Sequence, residues 1–238
     1  MRRQKRQPWG WGPTALIQTM TAVERALEAI RDGHRVGLGT GRAATDFVRR
    51  LGERVGKGLR IQGVATSEVT AQLAAQLAIP LITLDEAKSL DVTVDGADEV
   101  DPNLDAIKGY GGALVREKIV AASSERLILL VGPEKLVKQL GARGRLPVEI
   151  VPFGLSLATR RLAALGLRPE QRLHDGRPYV TDNGNYILDC VTTPIESPAE
   201  LELEILSVPG VVGTGLFLGL ADTVFVQGPQ DVEERHRK

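Results

Sequence analysis

Apolar residues in the first half of the chain follow two alternating periods. Leu16, Met20, Val23, Leu27 and Ile30 recur at three- and four-residue spacing, which predicts an amphipathic helix. Asp32-Gly33 ends it. Arg35-Val-Gly-Leu38 predicts a short buried strand, and Ala43, Ala44, Phe47, Val48 and Leu51 form the apolar face of a second helix. A strand is expected near 60–64, then a helix carrying Val69, Leu73, Ala74 and Leu77 that Pro80 stops. Residues 81–84, 91–94 and 127–131 read as further strands, with a helix around 113–122 before the last. Strands separated by helices of this length imply parallel crossovers, with helices on both faces of one sheet. Such sheets bind ligands where strand ends turn into helices.

The pattern changes near Leu146-Pro147. A strand at 148–151, a helix at 155–165, strands at 179–181 and 186–189 and a helix at 199–206 predict a small α+β unit, with Asp182-Asn-Gly-Asn185 turning between paired strands. Residues 211–217 and 223–226 add strands, the second returning to the main sheet. The expected fold class is therefore α/β. Residues 20–146 and 213–238 make a parallel-sheet main domain, and 147–212 form a smaller inserted α+β domain. Residues 1–19, basic and rich in Pro and Gly, lack the uninterrupted apolar stretch of a secretory signal and are expected to be a mobile tail. The closing Glu233-Glu-Arg-His-Arg-Lys238 is similarly polar.

Composition narrows the function. The 238 residues carry 30 Lys+Arg against 30 Asp+Glu, so no net charge invites nucleic acid or an anionic membrane. A local basic pocket for a small anion stays open. One cysteine, Cys190, excludes an internal disulfide and fits a reducing compartment. No apolar run reaches the roughly 18 residues that span a bilayer.

The unusual residues fall at the predicted strand ends. Gly37-Leu-Gly-Thr-Gly41 follows a strand and opens a helix, which reads either as an anion cradle or as a tight turn. Arg42 stands where a dinucleotide fingerprint needs Gly or Ala. Gly52-Glu-Arg-Val-Gly-Lys-Gly58 is one residue too short for a P-loop and lacks its Ser/Thr. Asp95-Gly-Ala-Asp-Glu99 crowds carboxylates at a strand terminus and could equally be an acidic surface loop. Asp101, Asn103 and Asp105 begin like a calcium loop, but Ala106 and Gly112 replace its turn glycine and bidentate glutamate. Lys108-Gly-Tyr-Gly-Gly112 and Glu117 follow. Alone, a helix glutamate is usually solvated; beside carboxylates, a lysine and a flexible loop, it suits proton transfer next to an oxyanion. His34, His174 and His236 lie outside these motifs. The metal-protease and serine-elbow signatures are missing.

In this order, Gly37-Leu-Gly-Thr-Gly41, Asp95-Gly-Ala-Asp-Glu-Val-Asp-Pro-Asn-Leu104, Ile107-Lys-Gly-Tyr-Gly-Gly-Ala113, Arg116-Glu-Lys-Ile119, Pro147-Val-Glu-Ile150 and Thr181-Asp-Asn-Gly-Asn-Tyr-Ile-Leu188 resemble the type A ribose-5-phosphate isomerases over roughly residues 20–228. The resemblance implies a Rossmann-like main domain and a homodimer or homotetramer. It further implies a cytoplasmic enzyme of the non-oxidative pentose phosphate pathway that interconverts ribose 5-phosphate and ribulose 5-phosphate without metal or organic cofactor. By the same resemblance Glu117 is the general base, Asp95 and Asp98 assist ring opening and hydroxyl proton movement, and Lys108 stabilises the enediolate. Thr40, Gly41, Arg42, Ala43, Gly96, Ala97, Gly109, Tyr110, Gly111, Gly112 and Lys135 join Asp95, Asp98 and Lys108 in substrate contact.

The chain departs from the family pattern at three places. Arg42-Ala43 replaces a Ser-Thr pair after the glycine loop, Thr19 aligns with a phosphate-contacting lysine, and Tyr110 interrupts the glycine run. Arg42 either replaces that lysine's charge at the phosphate or points to solvent. A sugar-phosphate-sensing regulator of related fold is the alternative function; it needs the phosphate cradle but neither Glu117 nor Lys108, and residues 1–19 are too short to add a helix-turn-helix. Acyl-CoA transfer on a related fold is a third class, for which no specific groove signal exists.

Overall fold

A computed structural model describes residues 20–237. The expected tail over 1–19 and the alignment of Thr19 lie outside the described residues. In chain order the first part runs α1 (Ala22–Glu28), β1 (Arg35–Leu38), α2 (Arg42–Gly56), β2 (Gln62–Ala65), α3 (Glu68–Gln76), α4 (Leu84–Ala87), β3 (Val92–Gly96), β4 (Glu99–Val100), β5 (Ala106–Ile107), α5 (Leu114–Ala122) and β6 (Leu127–Val131). The second part runs β7 (Arg145–Ile150), α6 (Leu155–Ala164), β8 (Arg168–Gln171), β9 (Leu173–His174), β10 (Arg177–Pro178), β11 (Tyr186–Val191), α7 (Pro198–Leu206) and β12 (Val211–Thr214). β13 (Leu216–Phe217), β14 (Thr223–Gln227) and β15 (Val232–His236) close the chain.

The main sheet has the order β15-β14-β6-β3-β1-β2. Its pairings are parallel except for β14 with β15. Every residue of β6, Leu-Ile-Leu-Leu-Val, is buried, as a strand covered on both faces requires. Phe47, Val48 and Leu51 of α2 pack with Ala26 and Leu27 of α1 against Val36, Leu38, Val92 and Val94 on one face. Ala121, Leu129, Val131, Phe217 and Val224 form a core on the other. A second, antiparallel sheet has the order β12-β7-β11-β8, with its own core of Leu146, Val148, Ile150, Leu162, Leu188 and Ile205.

Three local expectations are corrected. Residues 81–84 are not a strand: Leu81 makes one bridge to Gly63, and Thr83 with Glu86 forms a capping box that starts α4 instead. Residues 179–181 do not form a strand either; Thr181 turns its hydroxyl to buried Glu149, and the pairing runs between β8 and β11. The Asp182–Asn185 segment therefore does not join paired strands. The hairpin lies earlier, at Asp175-Gly176 between β9 and β10, with both turn residues at positive φ. The polar C-terminus is an edge strand, β15, whose charged side chains suit an exposed edge.

Candidate active site

The glycine loop ends β1, and Gly41, at φ +103°, precedes α2. No Cβ fits at Gly39: one built there falls on the Asp95 carboxylate, 2.6 Å from its Cα. The chain thus passes directly over the end of β3. Thr40 N–H donates to Asp95 Oδ1 at 3.1 Å, and Gly96 N–H donates to the same oxygen at 2.7 Å. The Thr40 hydroxyl meets those of Thr66 and Ser67 at 2.7 and 2.8 Å, which locks it to the β2–α3 turn.

Behind this loop, Lys108 Nζ lies 3.0 Å from Asp95 Oδ2 and 3.5 Å from Glu117 Oε2, and donates to Gly96 O at 2.6 Å. The Phe217 ring backs the ammonium at 5.4 Å. Lys108, Asp95 and Glu117 are 3%, 1% and 4% exposed, so the three are almost dry. Glu117 sits in the first turn of α5, and its Oε2 has no hydrogen-bond partner among the described residues. Burial pushes its carboxyl up to about 8, Lys108 pulling the other way and Asp95 adding to the rise. Burial opposes the Lys108 charge, but Asp95 and Glu117 outweigh it and hold the ammonium above its usual range. Burial also raises the Asp95 carboxyl against the pull of Lys108. At neutral pH Glu117 is therefore mostly the protonated acid, beside the Lys108 ammonium.

Asp98 is more open. Its Oδ2 accepts from Tyr110 N–H at 3.0 Å, and its Oδ1 is 4.0 Å from Lys135 Nζ. In front of the loop lies a cleft of about 560 Å³, lined by Thr40, Gly41 and Arg42 on one side and Gly111, Gly112 and Tyr179 on the other. Arg42 is exposed at the first position of α2 and makes no ion pair among the described residues. Ala43 follows it in the helix. Gly96 and Ala97 link Asp95 to Asp98, and Gly109 opens the loop after Lys108 at φ +106°. The structure thus gathers Asp95, Lys108 and Glu117 within direct contact and puts the glycine loop on the cleft wall. Tyr110 points elsewhere: its hydroxyl donates to Arg145 O at 3.3 Å, and its ring stacks under the Arg145 guanidinium. No group of three or more His, Cys, Asp or Glu side chains among the described residues is arranged to hold a metal ion. Nor is any described helix long and apolar enough to cross a membrane.

On the other side of the cleft, sequence reasoning found Gly111 and Gly112 but missed Tyr179 and Asp182. Tyr179 lies against Gly112, its hydroxyl where a Cβ would sit. Asp182 Oδ2 accepts from Glu68 N–H at 2.8 Å, and Arg116 donates to Asp182 O at 2.6 Å and Asn183 Oδ1 at 2.9 Å. The Thr181-Asp-Asn-Gly-Asn185 motif was the available signal, but it carried no role.

A carboxyl group kept protonated beside a fixed ammonium, under a helix-opening glycine loop, is equipment for carrying a proton between carbons next to an anion, the chemistry of an α/β isomerase. The family model for ribose 5-phosphate isomerase A (phosphoriboisomerase A) matches residues 62–231. Ribose-5-phosphate isomerase A of Roseiflexus castenholzii is 51% identical over 216 residues, covering 90% of this chain and 92% of the relative. The solved ribose 5-phosphate isomerase A of Methanocaldococcus jannaschii superposes with a TM-score of 0.86 at 39% identity, covering 91% of this chain and 96% of that one. A solved D-ribose-5-phosphate isomerase in complex with phospho-erythronic acid gives 0.88 at 38% identity, with the same coverage. The chain belongs to the ribose-5-phosphate isomerase A family, whose members interconvert ribose 5-phosphate and ribulose 5-phosphate.

Proposed function

We propose that Glu117 is the base that moves the proton between C1 and C2 of the open-chain sugar phosphate. The observation that carries this reading is its buried, unpartnered Oε2 beside Lys108. Ionised Glu117 takes the C2 proton of the aldose and returns it to C1. The enediolate oxygens gain charge as the proton leaves, and Lys108 supplies a fixed cation in a nearly dry site, where its field is strongest. Asp95 and Asp98 assist ring opening and hydroxyl proton movement. Asp95 also anchors Lys108 and Thr40 N–H, while Asp98 is the carboxylate less engaged by neighbours.

At the far end of the substrate, the N–H groups of Arg42 and Ala43 at the start of α2, with Thr40 and Gly41, receive the phosphate. Gly96, Ala97, Gly109, Gly111 and Lys135 complete the sugar contacts. Tyr110 acts through its backbone N–H on Asp98 rather than through its ring. That a relative is solved in complex with phospho-erythronic acid, a small molecule carrying both a carboxylate and a phosphate, supports a site for a phosphorylated sugar. The proposed domains are 20–146 with 213–238, and 147–212, with β7 reaching back to Arg145 and β12 on to Thr214. A cytoplasmic homodimer or homotetramer is the proposed form.

Purified protein in chelator should convert ribose 5-phosphate to the ketose. Because free Glu117 must lose a proton that burial holds up to about 8, kcat/KM should climb with pH, about tenfold per unit well below 8, and level off above it. A flat profile from pH 6 to 9 would remove Glu117 as the titrating base. Arg42→Ala should raise KM for ribose 5-phosphate by about 10-fold with kcat little changed, since a guanidinium–phosphate bond is made equally in ground and transition states. Unchanged KM would take Arg42 out of the phosphate site.

A further inference from the structure

The geometry points to Arg172 as a positioning residue of the isomerisation: from the small sheet it clamps the lysine–glycine loop so that Tyr110 N–H bonds Asp98 and Gly111 N–H faces the cleft as a donor to the reacting sugar. This rests on the functional reading above and assigns a part to a residue outside every motif that carried it.

Arg172 follows β8 at the corner of the small sheet, and its side chain is only 9% exposed. Asp189 of β11 takes two of its nitrogens, Nε at 2.9 Å and Nη2 at 2.5 Å. Arg145 reaches the same carboxylate at 2.5 Å. A guanidinium held bidentately is a rigid fork, so the remaining nitrogen has one direction left. That nitrogen, Nη1, donates to Gly109 O at 3.0 Å and to Tyr110 O at 3.2 Å.

Two successive peptide planes are thereby fixed. In a trans peptide the N–H points opposite the C=O. The first plane turns its oxygen to Arg172 and its N–H, that of Tyr110, to Asp98 Oδ2 at 3.0 Å. The second turns its oxygen to Arg172 and so sends Gly111 N–H the other way. Gly111 lines the cleft, and its N–H makes no hydrogen bond among the described residues. The loop's own restraint is one turn bond, Gly112 N–H to Gly109 O at 3.0 Å, and with Gly109 and Gly112 at positive φ and Gly111 between them the Tyr110–Gly111 peptide is left for Arg172 to orient. A cation on both carbonyls also polarises the peptides and strengthens the opposite N–H groups as donors. Tyr179, which lines the cleft beyond Gly112, donates its N–H to Arg172 O at 2.9 Å and lays its ring 5.8 Å from the guanidinium.

The test compares wild type, Arg172→Ala and Arg172→Lys with ribose 5-phosphate. Wild-type turnover checks the functional reading; the ratio of variants to wild type checks the clamp. Arg172→Ala should lose about 10- to 100-fold in kcat, with KM within about threefold because the phosphate is held on the opposite wall. Arg172→Lys should not restore kcat, since one ammonium cannot pair with Asp189 and span two carbonyls. Methylguanidinium added to Arg172→Ala should recover several-fold of the lost kcat, whereas methylammonium at equal ionic strength should not. The clamp is overturned if Arg172→Ala stays within twofold of wild type, if its loss falls on KM alone, or if methylguanidinium gives no recovery. Should the alanine variant not fold, wild-type kcat in Arg172→Lys overturns it as well.

Discussion

Glu117→Gln is expected to lower kcat for ribose 5-phosphate by at least about 10²- to 10⁴-fold, the usual worth of a positioned general base, while KM changes only a few-fold. Glutamine has the shape of the protonated acid that the free site holds at neutral pH, so the fold and the approach to Lys108 survive while the proton acceptor is removed. Stability supplies an independent check. The Glu117 carboxyl titrates near 8 when folded, above the usual value of 4.5. A raised carboxyl binds its proton more tightly in the native state, so its contribution is present below the unfolded value and is lost as pH rises through about 8. Glutamine cannot ionise, and the variant should therefore gain on wild type between pH 5 and 9. Retained turnover, or a stability difference that does not grow with pH, would contradict the base assignment. Both quantities come from steady-state kinetics and denaturant titrations on the same two proteins.

Lys108→Met should be the single change most damaging to the fold, and it should cost activity as well. Removing the ammonium leaves Asp95, 1% exposed, with two backbone N–H donors and no cation. Stripping one partner from a buried pair costs about 3–5 kcal/mol. Loss of the charge facing the enediolate adds about 10²- to 10³-fold in kcat. Adding Asp95→Asn to Lys108→Met removes the stranded carboxylate, so the double variant should recover much of the stability and none of the turnover. Recovery of turnover in the double variant would mean that the ammonium serves Asp95 alone.

The half of the site that was legible in the sequence is the half written in contiguous stretches. β1, its glycine loop and α2 follow one another directly, Asp95 sits within β3, and the hydrophobic runs around them have clean periods. The far wall is assembled from distant parts. Arg172 meets Gly109 and Tyr110 across about 60 positions, and Asp182 meets Glu68 across 114. In one dimension each is an ordinary polar residue of a loop. The error at 81–84 has a different origin: three apolar residues in four look like a strand, but the Thr83-x-x-Glu86 box satisfies two backbone donors locally and starts a helical turn. The polar C-terminus gave no strand signal because an edge strand needs backbone partners more than apolar side chains.

The parallel pairing of β6 with β14 has a consequence for how the polypeptide is made. Thr223 lies beside Ile128, and Leu127 N–H is held by Asp222 across 95 positions. As the ribosome releases the chain, Leu-Ile-Leu-Leu-Val of β6 must wait for nearly everything downstream to emerge before its outer flank is covered. The small sheet, whose strands are all translated in that interval, can collapse first. Non-local closure of this kind is slow, and until it occurs the newborn protein carries a sticky, half-paired strand edge suited to chaperone capture.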